Sequence, residues 1–208
     1  MPGWALRRFV TTLSSTPTVL SQSLRAEADT ILNAGLRRLL DAYGETVVHG
    51  SYGLDLMAWR DLDIYVAPPS LALNEFFTLG GKIADLLGPH RMHFRDERAV
   101  PSEGLPRGLY WGMYLRDQPW GAWKIDLWAV APEDLHRLTA YEDEMGRRLT
   151  AELRSVILNI KAAVCQHPEY RRGFSARYIY DAVLDGGVRD VAGFAAWLQR
   201  EIGLQIQQ

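Results

Sequence analysis

Asp61 and Asp63 stand two residues apart in an otherwise apolar run, Asp61-Leu62-Asp63-Ile64-Tyr65-Val66. If the run is a strand, Leu62, Ile64 and Val66 enter a core while both carboxylates project together from the opposite face. Carboxylates held that close repel each other, and folded chains keep such a pair where a cation or basic partner lies between them. A third acid, Asp126, interrupts a second apolar run, Ile125-Asp126-Leu127, with Lys124 and Trp128 on its face. Ahead of the pair, an apolar run ends in Gly50-Ser51. Glycine lets backbone N–H groups approach an anion closely, and the serine hydroxyl adds a donor. Oxygen ligands for a hard cation beside an anion cradle are what metal-dependent phosphate chemistry requires.

These residues need elements to hold them. From Val19 to Tyr43, Leu20, Leu24, Ile31, Leu32, Leu36, Leu39 and Leu40 recur at helical spacing, which predicts one long amphipathic helix closed by Gly44. A short strand over 46–49 carries Gly50-Ser51 at its end, and a second over 62–66 carries the acidic pair. Residues 71–87 predict a helix weakened by Gly80-Gly81. Residues 91–95 predict a short strand, and 109–116 and 122–130 a hairpin turning through Asp117-Gln118-Pro119. From Pro132 onward only helices are expected, beginning with proline and two acids in a first turn. The fold class expected is α/β (α+β), a mixed β-sheet flanked by helices. Residues 1–131 form one domain with an N-terminal helix, and 132–208 a helical domain.

Composition narrows the partners. The 208-residue chain is 48% hydrophobic and 23% charged, ordinary values for a globular protein that builds its own core. A net charge of −2 and a pI near 6.2 give no basic footprint for a phosphate backbone, so nucleic acid is not favoured. Arg7-Arg8, Arg37-Arg38, Arg147-Arg148 and Arg171-Arg172 are scattered pairs. The single Cys165 excludes an internal disulfide and a multi-cysteine zinc site, which fits a cytoplasmic protein. No stretch has the apolar length of a membrane helix or the apolar core of a signal peptide. Oligomeric state is not legible.

Gly-Ser, an Asp-x-Asp on the next strand and a third Asp on a later strand together resemble the nucleotidyltransferase superfamily related to DNA polymerase β, small antibiotic-modifying members in particular. The resemblance covers residues 45 to 130. Carried over residue by residue, it implies that Gly50 and Ser51 help hold an NTP donor. Asp61, Asp63 and Asp126 would hold two Mg²⁺ ions, and Asp126 can accept the proton of the attacking hydroxyl. It implies transfer of a nucleoside monophosphate to a hydroxyl of a small-molecule acceptor, with release of pyrophosphate. Tyr52-Gly53-Leu54-Asp55 after Gly-Ser, and Arg60 before Asp61, depart from the usual pattern. Two other acidic-pair enzymes fit less well. A glycosyltransferase needs several βα units before its Asp-x-Asp, and a phosphatase of the DxDxT type has threonine where Tyr65 stands. A catalytically silent nucleotide-binding or antitoxin-like module of the same fold is the alternative.

Lys161 lies at the edge of an apolar stripe made by Leu149, Leu153, Val156, Ile157, Ile160 and Val164. In some relatives a lysine from the helical part reaches the triphosphate, and snorkelling to solvent is the competing reading. His49 can contact phosphate or be structural, and Tyr178 and Tyr180 can stack on a base or pack in a core. Trp111, Trp120, Trp123 and Trp128 mostly report aromatic packing. His90 and His93 lack the spacing of a zinc site. Glu142-Asp143-Glu144 can attract a cationic acceptor or be solvated helix surface.

Overall fold

Period-two alternation in two apolar runs builds the centre of the molecule. In the computed structural model, which describes residues 16–116, 118–119 and 121–206, Asp61–Ala67 (β2) and Trp123–Ala129 (β5) pair in parallel. Glu45–His49 (β1) flanks β2, and Leu109–Leu115 (β4) and Arg91–Asp96 (β3) extend the other side, all antiparallel. The sheet order is β1-β2-β5-β4-β3. The expected mixed β-sheet flanked by helices is therefore what the chain forms. Arg7, Arg8, Asp117 and Trp120, which entered the expectations above, lie outside the described residues.

The two sheet faces differ. Leu62, Ile64, Val66, Ile125, Leu127, Trp111 and Met113 point into the main core. They meet Pro17–Ile31 (α1), Arg37–Asp41 (α2) and Leu73–Leu87 (α4), whose Leu24, Leu36, Leu40, Phe76 and Ile83 are buried there. Burying each such side chain contributes about 1.5–3 kcal/mol. On the opposite face, Tyr65, Tyr110 and Trp128 pack beneath Leu135 of Pro132–Arg148 (α5). The acids share this second face, farther along the strands.

The long helix expected over 19–43 is broken. Gly35 takes φ +124° inside a π-helical turn, Leu32–Leu36, and the chain re-enters helix as α2. The apolar repeat runs through the break, which is why periodicity alone does not show it. Gly80 in α4 has a packing reason: a Cβ there would come within 2.8 Å of the Trp111 indole nitrogen. The helix thus tolerates a poor helix former to seat a large ring.

Ala151–Val164 (α6), Ala176–Leu184 (α7) and Val191–Ile202 (α8) share a core of Ile157, Ile160, Ile179, Val183, Phe194 and Leu198. Thr150 caps α6 by accepting from the Leu153 N–H at 3.2 Å. Leu54 and Leu56, from the loop after β1, enter this helical core as well. Among the described residues no helix is long and apolar enough to cross a membrane.

Candidate functional site

The parallel register of β2 and β5 sets Asp63 opposite Asp126 and Asp61 opposite Lys124. Asp61, Asp63 and Asp126 thereby share one face, and each offers a carboxylate oxygen within 4.8 Å of the others. The structure brings the three sequence-predicted acids together. Their environments differ in ways that bear on a metal. Asp126 has a partner on each oxygen: Tyr110 Oη donates to its Oδ1 at 2.6 Å and Lys124 Nζ pairs with its Oδ2. Asp61 is 9% exposed. Arg171 pairs with its Oδ2, and the Trp59 indole N–H approaches the same oxygen at 3.4 Å. Asp61 Oδ1 is buried without a hydrogen-bond partner among the described residues.

Burial, and then the neighbouring Asp61 charge, push the Asp63 carboxyl up to about 7. An orphaned buried oxygen and a carboxyl reluctant to ionise both call for added positive charge. The all-oxygen donor set suits a hard divalent cation such as Mg²⁺. The residues present therefore fit a metal ion at Asp61 and Asp63.

Gly50 and Ser51 open a single helical turn, Gly50–Gly53 (α3), directly after β1. Gly50 has φ +67°, and a Cβ there would stand 2.6 Å from Asp63 Oδ2. Glycine is needed both for the left-handed backbone and for the close approach of the carboxylate. The Gly50 N–H, however, donates to Glu142 Oε2 of α5 at 2.7 Å. A side-chain carboxylate thus occupies the donor that the anion-cradle reading reserved for phosphate. Glu142 also lies 3.2 Å from His49 Nδ1, whose ring stacks on Tyr65 at 3.9 Å between centroids. His49 Nε2 is buried without a hydrogen-bond partner among the described residues, and within the acidic run Glu142 turns inward while Glu144 pairs with Arg147 at the surface.

Lys161 does not snorkel. It is fully buried, and its Nζ donates to Ser51 Oγ at 2.8 Å, Leu56 O at 2.6 Å and Tyr180 Oη at 3.1 Å. Burial lowers the ammonium to about 7 against the opposing pull of Asp63 and Asp61. The helical half thus reaches the Gly-Ser turn through Lys161, with Ser51 as its contact. Tyr180 is buried beside it, and Tyr178 packs against Trp197 in the helical core. Cys165 lines the cleft wall.

Two participants carried no signal in the sequence. Trp59 lies over the cleft, with Lys161 Nζ 4.8 Å and the Arg171 guanidinium 5.6 Å from its ring, and Tyr170 packs edge-on at 5.3 Å. Arg171 was one of the scattered basic pairs. It adopts φ +68° in the α6–α7 loop, and its side chain spans the cleft to Asp61. Trp59, Arg60, Asp61, Lys124, Cys165, Tyr170 and Arg171 line a cavity of about 340 Å³, which Asp61 borders among the three acids.

No family model matches the sequence, and no curated protein matches it. Among solved structures, the chain is similar to a cytoplasmic RNA terminal U-transferase at TM-score 0.48 and 19% identity, over 79% of this chain and 47% of that one. It is also similar to CdnC of E. coli MS115-1, solved with ATP, at TM-score 0.47 and 16% identity, over 90% of this chain and 68% of that one. The chain therefore spans about half the length of the first of these relatives and about two thirds of the second.

Proposed function

We propose that this chain is a metal-dependent nucleotidyltransferase that moves a nucleoside monophosphate from an NTP to a hydroxyl of a small-molecule acceptor. The observation that carries the reading is the convergence of Asp61, Asp63 and Asp126 on adjacent parallel strands, next to the Ser51–Lys161 contact. Asp61 and Asp63 would hold the ion, which when bound supplies charge neutralisation and polarisation at the α-phosphate. Ser51 donates to the triphosphate, and Lys161 fixes the Ser51 hydroxyl and adds positive charge behind it. Trp59 and Tyr170 offer ring surface at the cavity, and Arg171 offers a guanidinium suited to phosphate oxygens. The acceptor oxygen forms its bond to the α-phosphorus as the bond to the pyrophosphate oxygen breaks. The hydroxyl proton passes to water, and pyrophosphate leaves with the broken bond's electron pair. A net charge of −2 supports a small acceptor over nucleic acid.

The test is pyrophosphate release from Mg²⁺ and each NTP over a panel of hydroxylated acceptors, beside an Asp61→Ala/Asp63→Ala double variant. Acceptor-dependent release by the natural chain alone is expected. Equal signals from chain and variant, or neither turnover nor Mg²⁺-dependent NTP binding, would end the proposal.

A further inference from the structure

We infer that Lys124 is a resident cation of this site, holding the position beside Asp126 that a second metal ion would take, so that the chain binds one divalent ion, at Asp61 and Asp63. The inference rests on the nucleotidyl-transfer reading and departs from its two-ion expectation. Lys124 precedes Asp126 by two residues on β5, so the two side chains share a face. The parallel register sets Lys124 opposite Asp61 on β2. The ammonium consequently bridges two of the three acids, paired with Asp126 Oδ2 and 3.8 Å from Asp61 Oδ1.

The remaining valences sort the acids into a closed and an open set. Both oxygens of Asp126 are engaged, one by Lys124 and the other by Tyr110 at 2.6 Å. Tyr110 is itself held, 6% exposed, against Trp128 at 4.8 Å between ring centroids. Asp126 is thus secured from two strands, β4 and β5. By contrast, Asp61 Oδ1 has no hydrogen bond, and none reaches the Asp63 carboxylate among the described residues. Carboxylate oxygens without a hydrogen bond among the described residues therefore lie on Asp61 and Asp63, side by side along β2.

A divalent ion between Asp61 and Asp126 would have to displace the ammonium or share its oxygens with it. Like charges a few ångströms apart oppose each other, the more so where water is partly excluded. Lys124 is accordingly assigned a positioning role: it fixes Asp126 and supplies the fixed positive charge on the side of the site away from Gly50 and Ser51.

The experiment counts ions directly. Mn²⁺ bound to the full chain is titrated by electron paramagnetic resonance in the presence of an NTP analogue with a non-cleavable α–β linkage, for the natural chain, Lys124→Met, Lys124→Gln and Asp63→Asn. One Mn²⁺ per nucleotide complex is expected for the natural chain, a second for a folded Lys124 variant, and loss of the protein-bound ion in Asp63→Asn. Two ions in the natural chain would overturn the inference, and that count does not depend on whether either Lys124 variant folds. A count of one in both the natural chain and a folded Lys124 variant would also overturn it. Absence of any protein-bound ion, with no nucleotide bound, would instead remove the nucleotidyl-transfer reading on which it stands.

Discussion

Asp63→Asn should make the metal-free protein more stable while removing its response to Mg²⁺. A carboxyl moved from 3.8 to about 7 by burial and by the Asp61 charge costs the ionised folded state about 4 kcal/mol, at 1.36 kcal/mol per pH unit. Asp63 keeps part of its surface in solvent and shares its charge with Asp61, so about 2 kcal/mol is the expected gain. For a 208-residue chain that is about 4–8 °C in Tm. The sign follows from linkage. With the folded value raised, the contribution of Asp63 is fully present below its ordinary value of 3.8 and is lost as pH rises through about 7. The asparagine variant has no such loss. The gap between variant and natural chain should therefore be complete at pH 8 and shrink toward pH 5. The assay is thermal unfolding at pH 5, 6, 7 and 8 in EDTA, repeated in Mg²⁺ at pH 8. The natural chain should rise with Mg²⁺ and the variant should not. An asparagine variant that melts at or below the natural chain at pH 8, or a gap unchanged by pH, would refute the reasoning.

Three further perturbations test neighbouring contacts. Lys161→Ala empties a buried site and strands Leu56 O, so urea unfolding should show a loss of about 3 kcal/mol. Lys161→Met, which keeps the stem, should lose less, and both should lack NTP-induced thermal stabilisation. Gly50→Ala places a Cβ 2.6 Å from Asp63 Oδ2 at φ +67°, and should strain the turn by about 1–3 kcal/mol. It should also weaken divalent-ion affinity by about tenfold or more, measured by calorimetric titration. Glu142→Ala removes the acceptor of the Gly50 N–H, which should cost about 1–2 kcal/mol in urea unfolding and release the Gly50 turn for anion binding, read as stabilisation by added phosphate.

The strands that carry the acids were legible because period-two alternation is a local property. Leu62, Ile64 and Val66 face the core and Asp61 and Asp63 the cleft. The neighbours of each strand are not local, and the contacts of Lys161 show the consequence. Its place at the edge of an apolar stripe is compatible with solvent. Ser51, Leu56 and Tyr180 instead close around it from segments distant in sequence. Three oxygen acceptors make burial of the ammonium tolerable where the stripe alone would not. Gly35 misled in a similar way, since the leucine repeat continues across the break and only the backbone conformation records it.

The cations of the site were harder to find than its anions, for a physical reason. An acid inside an apolar strand is conspicuous because burying an uncompensated carboxylate costs several kcal/mol. The compensating charge needs only to lie within about 4–6 Å in space, and long basic side chains meet that condition from many positions. Lys124 meets it through the pairing of two strands separated in the chain by a helix and two further strands. Arg171 meets it from a loop whose left-handed residue aims the guanidinium across the cleft. In the sequence Arg171 looked like an ordinary solvated charge, and Lys124 showed only that it shares the face of Asp126. Asp63, with no hydrogen bond to its carboxylate among the described residues, is the acid that neither cation pairs with directly, and burial and the Asp61 charge hold its carboxyl up at about 7.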